Sequence, residues 1–440
     1  MIALSAGEIA QACGGRTESG ATITGVTVDS RTVAPGDLFV ALPGERTDGA
    51  RYAAAALAAG AAAVMTAATP GRPPPDDRTI AVPDPLIGLG RLAAEVRHRS
   101  GARVVGITGS TGKTSTKDLL AALLRRRLRT VASHANFNTE IGLPLTLCRI
   151  EADTEAVVCE LAMRGMGQVS YLAEIARPDV AVITSIGPVH LEQVGSTEGV
   201  AEAKAEILEP LGPRQTVVVP YAEPLLAPYL DLTRARVSTF GEAEGADVRL
   251  AGFTAGRAEI AVDGRTITVP VNFDQHHNGL NLTAAVAACA ALGLDPADPE
   301  LLAGAAEVEF SRWRGERIAL AGDGFVIADC YNANPVSMRA ALRHLVAAAG
   351  GRRTVAVMGE MAELGPAAPA LHEEIGREAA QLGVVVVVAV GPLSRAYGGE
   401  WFADAAAAAA GVPGVLEPGD AVLVKGSRSA GLEAVVEALT

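Results

Sequence analysis

One short stretch restricts the fold more than any other. Thr108-Gly109-Ser110-Thr111-Gly112-Lys113-Thr114 follows an apolar, strand-like run at 103–107 and opens a helical pattern over 113–128. Glycines in such a turn let backbone N–H groups approach an anion, and the helix N-terminus adds partial positive charge. A lysine then stands where it reaches β- and γ-phosphates, and a hydroxyl where it meets Mg²⁺. The spacing is not GxxxxGK[ST], because Gly106 lies one residue early; the matching element is TGSTGKT itself. A glycine-rich turn with a surface lysine is the alternative. The loop alone predicts a bound nucleotide, ATP first.

Strand, loop and helix alternate from residue 103 onward, with further strands expected at 156–161, 180–185 and 216–219 and helices at 200–211 and 277–292. That alternation predicts an α/β fold with a mostly parallel central sheet. Residues 247–271 switch to period two, with Asp263-Gly264 as a hairpin turn, so a small antiparallel appendage is expected. A second α/β series, Rossmann-like, has strands at 325–328, 354–358, 384–390 and 421–424. Ahead of both, residues 1–98 show strand-like pieces at 23–28, 38–41 and 62–65, a loop or hinge at 70–75, and a helix at 86–98. With 440 residues, too many for one core, three domains are expected: 1–98, 99–314 and 315–440.

The net charge of −13 argues against a nucleic-acid partner and requires local cations or metal for any anionic substrate. Five cysteines with no CxxC pair argue against a disulfide framework or structural zinc. Neither a secretory signal nor an apolar run long enough to span a bilayer is read, so a cytoplasmic protein without membrane insertion is expected.

Other motifs extend over nearly the whole chain: Asp29-Ser30-Arg31, Phe39 to Gly44, Asn136 to Pro144, Glu160, Gly187 to Glu192, Ala203 to Ile207, His277-Asn278 with Asn281, Asp329 to Pro335, Met358 to Gly365 and Lys425 to Arg428. With TGSTGKTS they resemble the Mur ligases. The Tyr331-Asn332-Ala333-Asn334-Pro335 element points to the branch that adds a dipeptide rather than an amino acid. The sequence departs from the family at Ser185, often Asn, and at Asp48-Gly49-Ala50, often an aromatic-flanked DGH. The resemblance implies a monomeric ATP-dependent ligase that joins D-alanyl-D-alanine to UDP-N-acetylmuramoyl-tripeptide through an acyl phosphate.

It also assigns roles. Thr108 to Ser115 would bind ATP, with Lys113 also catalytic. Thr114, Glu160, His190 and a carbamylated Lys204 would hold Mg²⁺, two ions in all. Asn281 would read adenine, and Arg317, Asp329 and Asn332 would contact ATP from the linker and third domain. Ser30, Arg31, Asn136, Asn138, Thr139 and Arg164 would line the UDP-sugar side. The residues themselves leave plainer readings open. Glu160 is also a strand-end carboxylate facing solvent, and His190 a structural loop histidine. Asn281 is also a helix-surface residue, and Asn332 a turn former. Lys204 shares a helical stripe with Val200, Ile207 and Leu211, where a lysine either snorkels or is desolvated toward a neutral, CO₂-reactive amine.

Overall fold

The computed structural model describes residues 1–44, 47–69, 76–134 and 136–440; the 70–75 stretch lies outside the described residues. Three sheets of four or more strands dominate the described residues. In the first, β1 (Gly25–Thr27), β2 (Asp37–Val40), β3 (Ala63–Ala67) and β4 (Thr79–Val82) pair in parallel in that order. The single strand expected at 23–28 is divided, because Thr22–Ile23 pairs instead with Leu4–Ser5.

Helix α1 (Pro85–Arg99) starts where the Asp84 carboxylate accepts from Leu86 and Ile87 N–H, with proline at the first position. Its buried face, Leu89, Leu92, Ala93 and Val96, joins a core continuous with Val104, Leu143 and Leu172 of the next unit. The first sheet is thereby fastened to the central one by apolar burial. Arg97 bolts the junction. Its guanidinium donates to the carbonyls of Ala176, Ala102 and Arg177 and pairs with Asp179 at 3.0 Å.

The central sheet contains β5 (Arg103–Thr108), β6 (Thr130–Ala132), β7 (Ala156–Glu160), β8 (Val180–Ile183), β9 (Thr216–Pro220), β10 (Arg236–Gly241), β11 (Val248–Thr254), β12 (Arg257–Val262) and β13 (Arg265–Pro270). Their order is β13-β12-β11-β10-β9-β8-β5-β7-β6. The strands from β6 to β11 pair in parallel, and β11-β12-β13 is the antiparallel appendage. Its turn has positive φ at both Asp263 and Gly264, as a two-residue hairpin of this sequence requires.

Strand β5 is flanked by β8 on one side and β7 on the other, so the connections run in opposite directions from it. In an open parallel sheet this leaves a crevice at the strands' carboxyl ends. Helices α2 (Lys113–Arg125) and α5 (His276–Ala291) pack together against one face of the sheet. On the other, α3 (Gln168–Ala176) packs beside α4 (Thr197–Ala205).

The helix expected to run to residue 211 tightens to a 3₁₀ turn after Ala205. There the Glu206 carboxylate accepts from Gly167 N–H (2.6 Å) and Ser170 N–H (3.1 Å), capping α3. The apolar stripe is nevertheless as expected, with Val200, Lys204, Ile207 and Leu211 all buried.

The third sheet orders β14 (Glu316–Ala319), β15 (Phe325–Ala328), β16 (Thr354–Gly359), β17 (Val386–Val390), β18 (Glu400–Phe402) and β19 (Ala421–Lys425) as β14-β15-β19-β16-β17-β18. All pairs are parallel except β14-β15. Helix α6 (Pro335–Ala349) follows β15, opened by a capping box between Asn334 and Ser337. Among the described residues no helix is long and apolar enough to cross a membrane.

Because Arg97 fills several carbonyl acceptors and one carboxylate at once, Arg97→Ala is expected to lower unfolding stability by about 2–4 kcal/mol. Urea titration measures this, and an unchanged midpoint would remove the bolt from the account.

Candidate active site

The carboxyl edges of the central and third sheets face a common cavity of about 1700 Å³. The glycine loop forms its floor. Gly109 has φ 141°, and a Cβ there would lie 2.1 Å from Thr184 Oγ1, so only glycine fits between β5 and the loop after β8. Thr111 N–H donates to Ser185 Oγ (2.9 Å), and Ser110 Oγ exchanges hydrogen bonds with the Gly187 backbone. The loop is thus held open by its neighbour, leaving the N-terminus of α2 directed at the cavity. Lys113 Nζ rests on Gly109 O at 2.6 Å. Burial pulls its ammonium below the ordinary lysine range, Glu160 opposes this, and the Arg314 charge adds to it.

Glu160 ends β7 and is only 2% exposed. Its Oε2 accepts from Thr114 Oγ1 at 2.9 Å and its Oε1 from Asn138 Nδ2 at 3.0 Å. The solvent-facing alternative is therefore excluded. Lys204 is fully buried, and its Nζ has no hydrogen-bond partner among the described residues. Burial drives its pKa far down, the nearby Lys113 charge pushes the same way, and Glu160 and Glu206 oppose them. The snorkelling alternative is excluded as well.

His190 follows β8 in a left-handed conformation (φ 53°), and its Nδ1 meets the Glu363 carboxylate of the third unit. That contact holds the Glu363 carboxyl below the usual range. Asn281, on α5, packs against Gly112, where an added Cβ would lie 2.4 Å from its Oδ1. Its amide donates to Asn278 Oδ1, extending a polar chain through Gln275 to Gly315 O. His277 beside it is half-buried at the cavity wall, and desolvation there pushes its imidazole down to about 4. From the third unit, Lys425 is 2% exposed and binds Asp329 Oδ2 (2.7 Å) and Asn332 O (2.9 Å).

The cavity wall includes Ser110 to Ser115, Asn136, Asn138, Thr139, Glu160, Arg164, His190, Asn281, Asp329 and Asn332. Other expected residues stand apart. Thr108 and Gly109 lie behind the loop, and Lys204 is sealed beneath it. Ser30 and Arg31 belong to a turn away from the wall, where Arg31, 86% exposed, pairs with Asp29 at 2.6 Å. Arg317 stacks over Phe325 and pairs with Asp274 at 3.7 Å. The arginine that does enter is Arg314, three residues earlier. Its Nη2 donates to Thr114 Oγ1 (3.1 Å), and its guanidinium lies 4.1 Å over the Tyr331 ring. The left-handed residues on either side, Trp313 and Gly315, were the available sign of a turn that redirects the side chain, but glycine alone was visible in the sequence.

Among the described residues no three His, Cys, Asp or Glu side chains converge as a metal cage. Magnesium does not need one, since it keeps several waters and is commonly held by one or two protein oxygens plus phosphate. The paired Thr114 hydroxyl and Glu160 carboxylate, with an unpartnered buried lysine beside them, fit that donor set.

Residues 107–289 match the Mur ligase middle domain, residues 313–428 the Mur ligase glutamate ligase domain, and residues 22–97 the Mur ligase family catalytic domain. The chain belongs to the Mur ligase family, and it is an ATP-dependent ligase. Within that family it is 37% identical to a UDP-N-acetylmuramoyl-tripeptide–D-alanyl-D-alanine ligase of Mycobacterium tuberculosis (strain ATCC 25618 / H37Rv), covering 100% of this chain and 98% of the relative. The fold is similar to MurF of Acinetobacter baumannii (TM-score 0.90, 29% identity, 99% of this chain and 98% of that one). It is also similar to MurF ligase of Thermotoga maritima in complex with ADP (TM-score 0.83, 29% identity, 94% and 96%).

Loss of the Arg314 guanidinium from the mouth of the glycine loop is expected to weaken ADP binding by about tenfold, the worth of one charge-assisted hydrogen bond. Calorimetry on Arg314→Ala tests this. Wild-type affinity would remove the residue from the nucleotide site.

Proposed function

We propose that this protein joins D-alanyl-D-alanine to UDP-N-acetylmuramoyl-tripeptide in peptidoglycan precursor synthesis, using ATP. Full-length likeness to ligases of that name supports the substrates. The observation that carries the chemistry is the buried Glu160 carboxylate held by Thr114 at the mouth of the glycine loop.

The reaction must bring a carboxylate to a γ-phosphate, and both are anions. The loop N–H groups, Lys113 and Arg314 draw the phosphates in and offset their charge. Mg²⁺, held by Thr114 and Glu160 with a second ion near His190, would supply the remaining neutralisation and polarise the γ-phosphoryl group. The peptide carboxylate oxygen attacks phosphorus in line and the P–O bond to ADP breaks, giving an acyl phosphate. The dipeptide amine, having lost its proton, attacks the acyl carbon; phosphate then leaves and the amide remains. Asn281 faces the adenine side and Asp329 the ribose side. Asn136, Asn138, Thr139 and Arg164 face the nucleotide-sugar peptide.

The segments 1–98, 99–314 and 315–440 act as a nucleotide-sugar unit, an ATP unit and a closing unit. Lys204 takes up CO₂ through its neutral amine: the N–C bond forms, one N–H proton is lost to solvent, and a carbamate anion remains. The resulting carbamate supplies a negative charge beside the second metal position and gives the otherwise unpartnered side chain oxygens that can be satisfied.

ADP release with UDP-N-acetylmuramoyl-tripeptide is expected to depend on D-alanyl-D-alanine; equal release with a free amino acid instead would reassign the acceptor. Lys204→Ala is expected to lose turnover and to recover part of it when a short carboxylic acid is added. Undiminished turnover by the alanine variant would end the carbamate proposal.

A further inference from the structure

The segment Met358 to Gly365 is not consumed by the reaction above, yet it touches the site. Of the seven described non-glycine residues with positive φ, two face each other across the boundary between units: His190 (53°) on the central unit and Glu363 (61°) on the third. Left-handed backbone at bulky side chains costs energy and persists where surroundings over-determine it.

Here they do. Glu192 N–H donates to Glu363 O at 3.3 Å, and Gly365, also left-handed, packs against Glu192. Leu191 packs into the third unit's core. From behind, Met361 N–H donates to the buried His372 Nε2 (3.0 Å), and Ala362 N–H donates to Ser427 Oγ (2.9 Å). The Glu363 carboxylate is therefore presented by a braced loop.

Glu363 itself is not on the cavity wall, whereas His190 is. It meets His190 at Nδ1. A carboxylate only accepts, so the proton resides on Nδ1 and the Nε2 lone pair is left free. We infer that Glu363 is a positioning residue: docking of the third unit fixes the tautomer and ring orientation of His190, and so completes the phosphate and metal site only when that unit is in place. Carboxylates that hold the far nitrogen of a ligating histidine act in this way.

Three readouts test the assignment in the full-length protein. Nitrogen-15 histidine NMR is expected to report His190 as the Nδ1–H tautomer in the wild type and in Glu363→Gln, which keeps an accepting oxygen. In Glu363→Ala the ring is expected to revert to a mixture rich in Nε2–H. Manganese affinity of the ADP complex, read by electron paramagnetic resonance, is expected to fall about 10- to 100-fold in Glu363→Ala. In a His190→Ala background the same substitution should cost less than about twofold, because the interaction is already absent. The kinetic arm rests on the ligase reading: kcat falls in parallel while KM for ATP stays within about twofold, and Glu363→Gln recovers most of the loss.

An unchanged tautomer and manganese affinity in Glu363→Ala, or losses that multiply in the double variant, would overturn the proposal. Failure of the wild type to use the dipeptide would instead strike the substrate assignment, since the tautomer and manganese measurements need no acceptor.

Discussion

Concentrated positive charge at one sheet edge, inside an acidic protein, is the constraint on which the rest depends. The chain has a net charge of −13, yet Lys113 and Arg314, with the buried Lys204 amine behind them, gather near the Glu160 carboxylate and its Thr114 partner. Lys113 and Lys204 each sit below the ordinary lysine range, chiefly through burial, and the charge of Lys113 further disfavours that of Lys204. Polyphosphate supplies negative charge to this cluster, and beside buried groups such as Glu160 each interaction is worth more than at the surface. The parallel topology makes this possible, because three successive strand ends, β5, β7 and β8, deliver the glycine loop, Glu160 and the segment leading to His190 to the same edge.

The third unit contributes through backbone geometry as much as through side chains. Trp313 and Gly315 are both left-handed, so the chain turns sharply around Arg314 and lays its guanidinium on Tyr331 and Thr114. The polar chain Asn281-Asn278-Gln275 ends on the Gly315 carbonyl. A helix packed against the glycine loop is thereby linked to the connector that leads into the third sheet. Lys425 and Asp329 then tie the ends of β19 and β15 together at the cavity wall. Movement of the third unit would have to alter several of these contacts together, which favours discrete open and closed arrangements over continuous drift.

Much of this was legible in the sequence because parallel strands buried on both faces read as unbroken apolar runs, and ligands gather at their ends. Val104 to Ile107, Ala156 to Cys159 and Val180 to Ile183 announced three strands, and Glu160 followed directly from its position after one of them. Strands β4, β6, β10, β14 and β18 were not foreseen. They are short or carry exposed polar positions, as edge strands and strands under loops do. The resemblance implied that Arg317 contacts ATP from the linker. The strand that begins at Glu316 directs it to Phe325 and Asp274 instead. In the Asp29-Ser30-Arg31 element, Arg31 pairs with the carboxylate two residues away, a local contact that the sequence spacing alone did not reveal. Glu363 lay in the Met358 to Gly365 motif, but its pairing with His190 was not legible, since the two are 173 residues apart and only tertiary structure brings them together.

Lys204 shows why a site can be recognised by what it costs the fold. An aliphatic side chain at this position would continue the stripe formed by Val200, Ile207 and Leu211 and bury cleanly. The lysine instead places an amine with no hydrogen-bond partner in a sealed space beside another cation. An unpartnered polar atom there is penalised by lost hydration, and an ammonium more so. Neutralisation lowers the penalty but leaves the nitrogen unsatisfied. The carbamate proposed above would remove both defects, because its oxygens would have Lys113 and a metal ion to meet. The same residue thus costs the fold local stability and, as a carbamate, would serve the reaction, which is the pattern expected when stability is given up for chemistry.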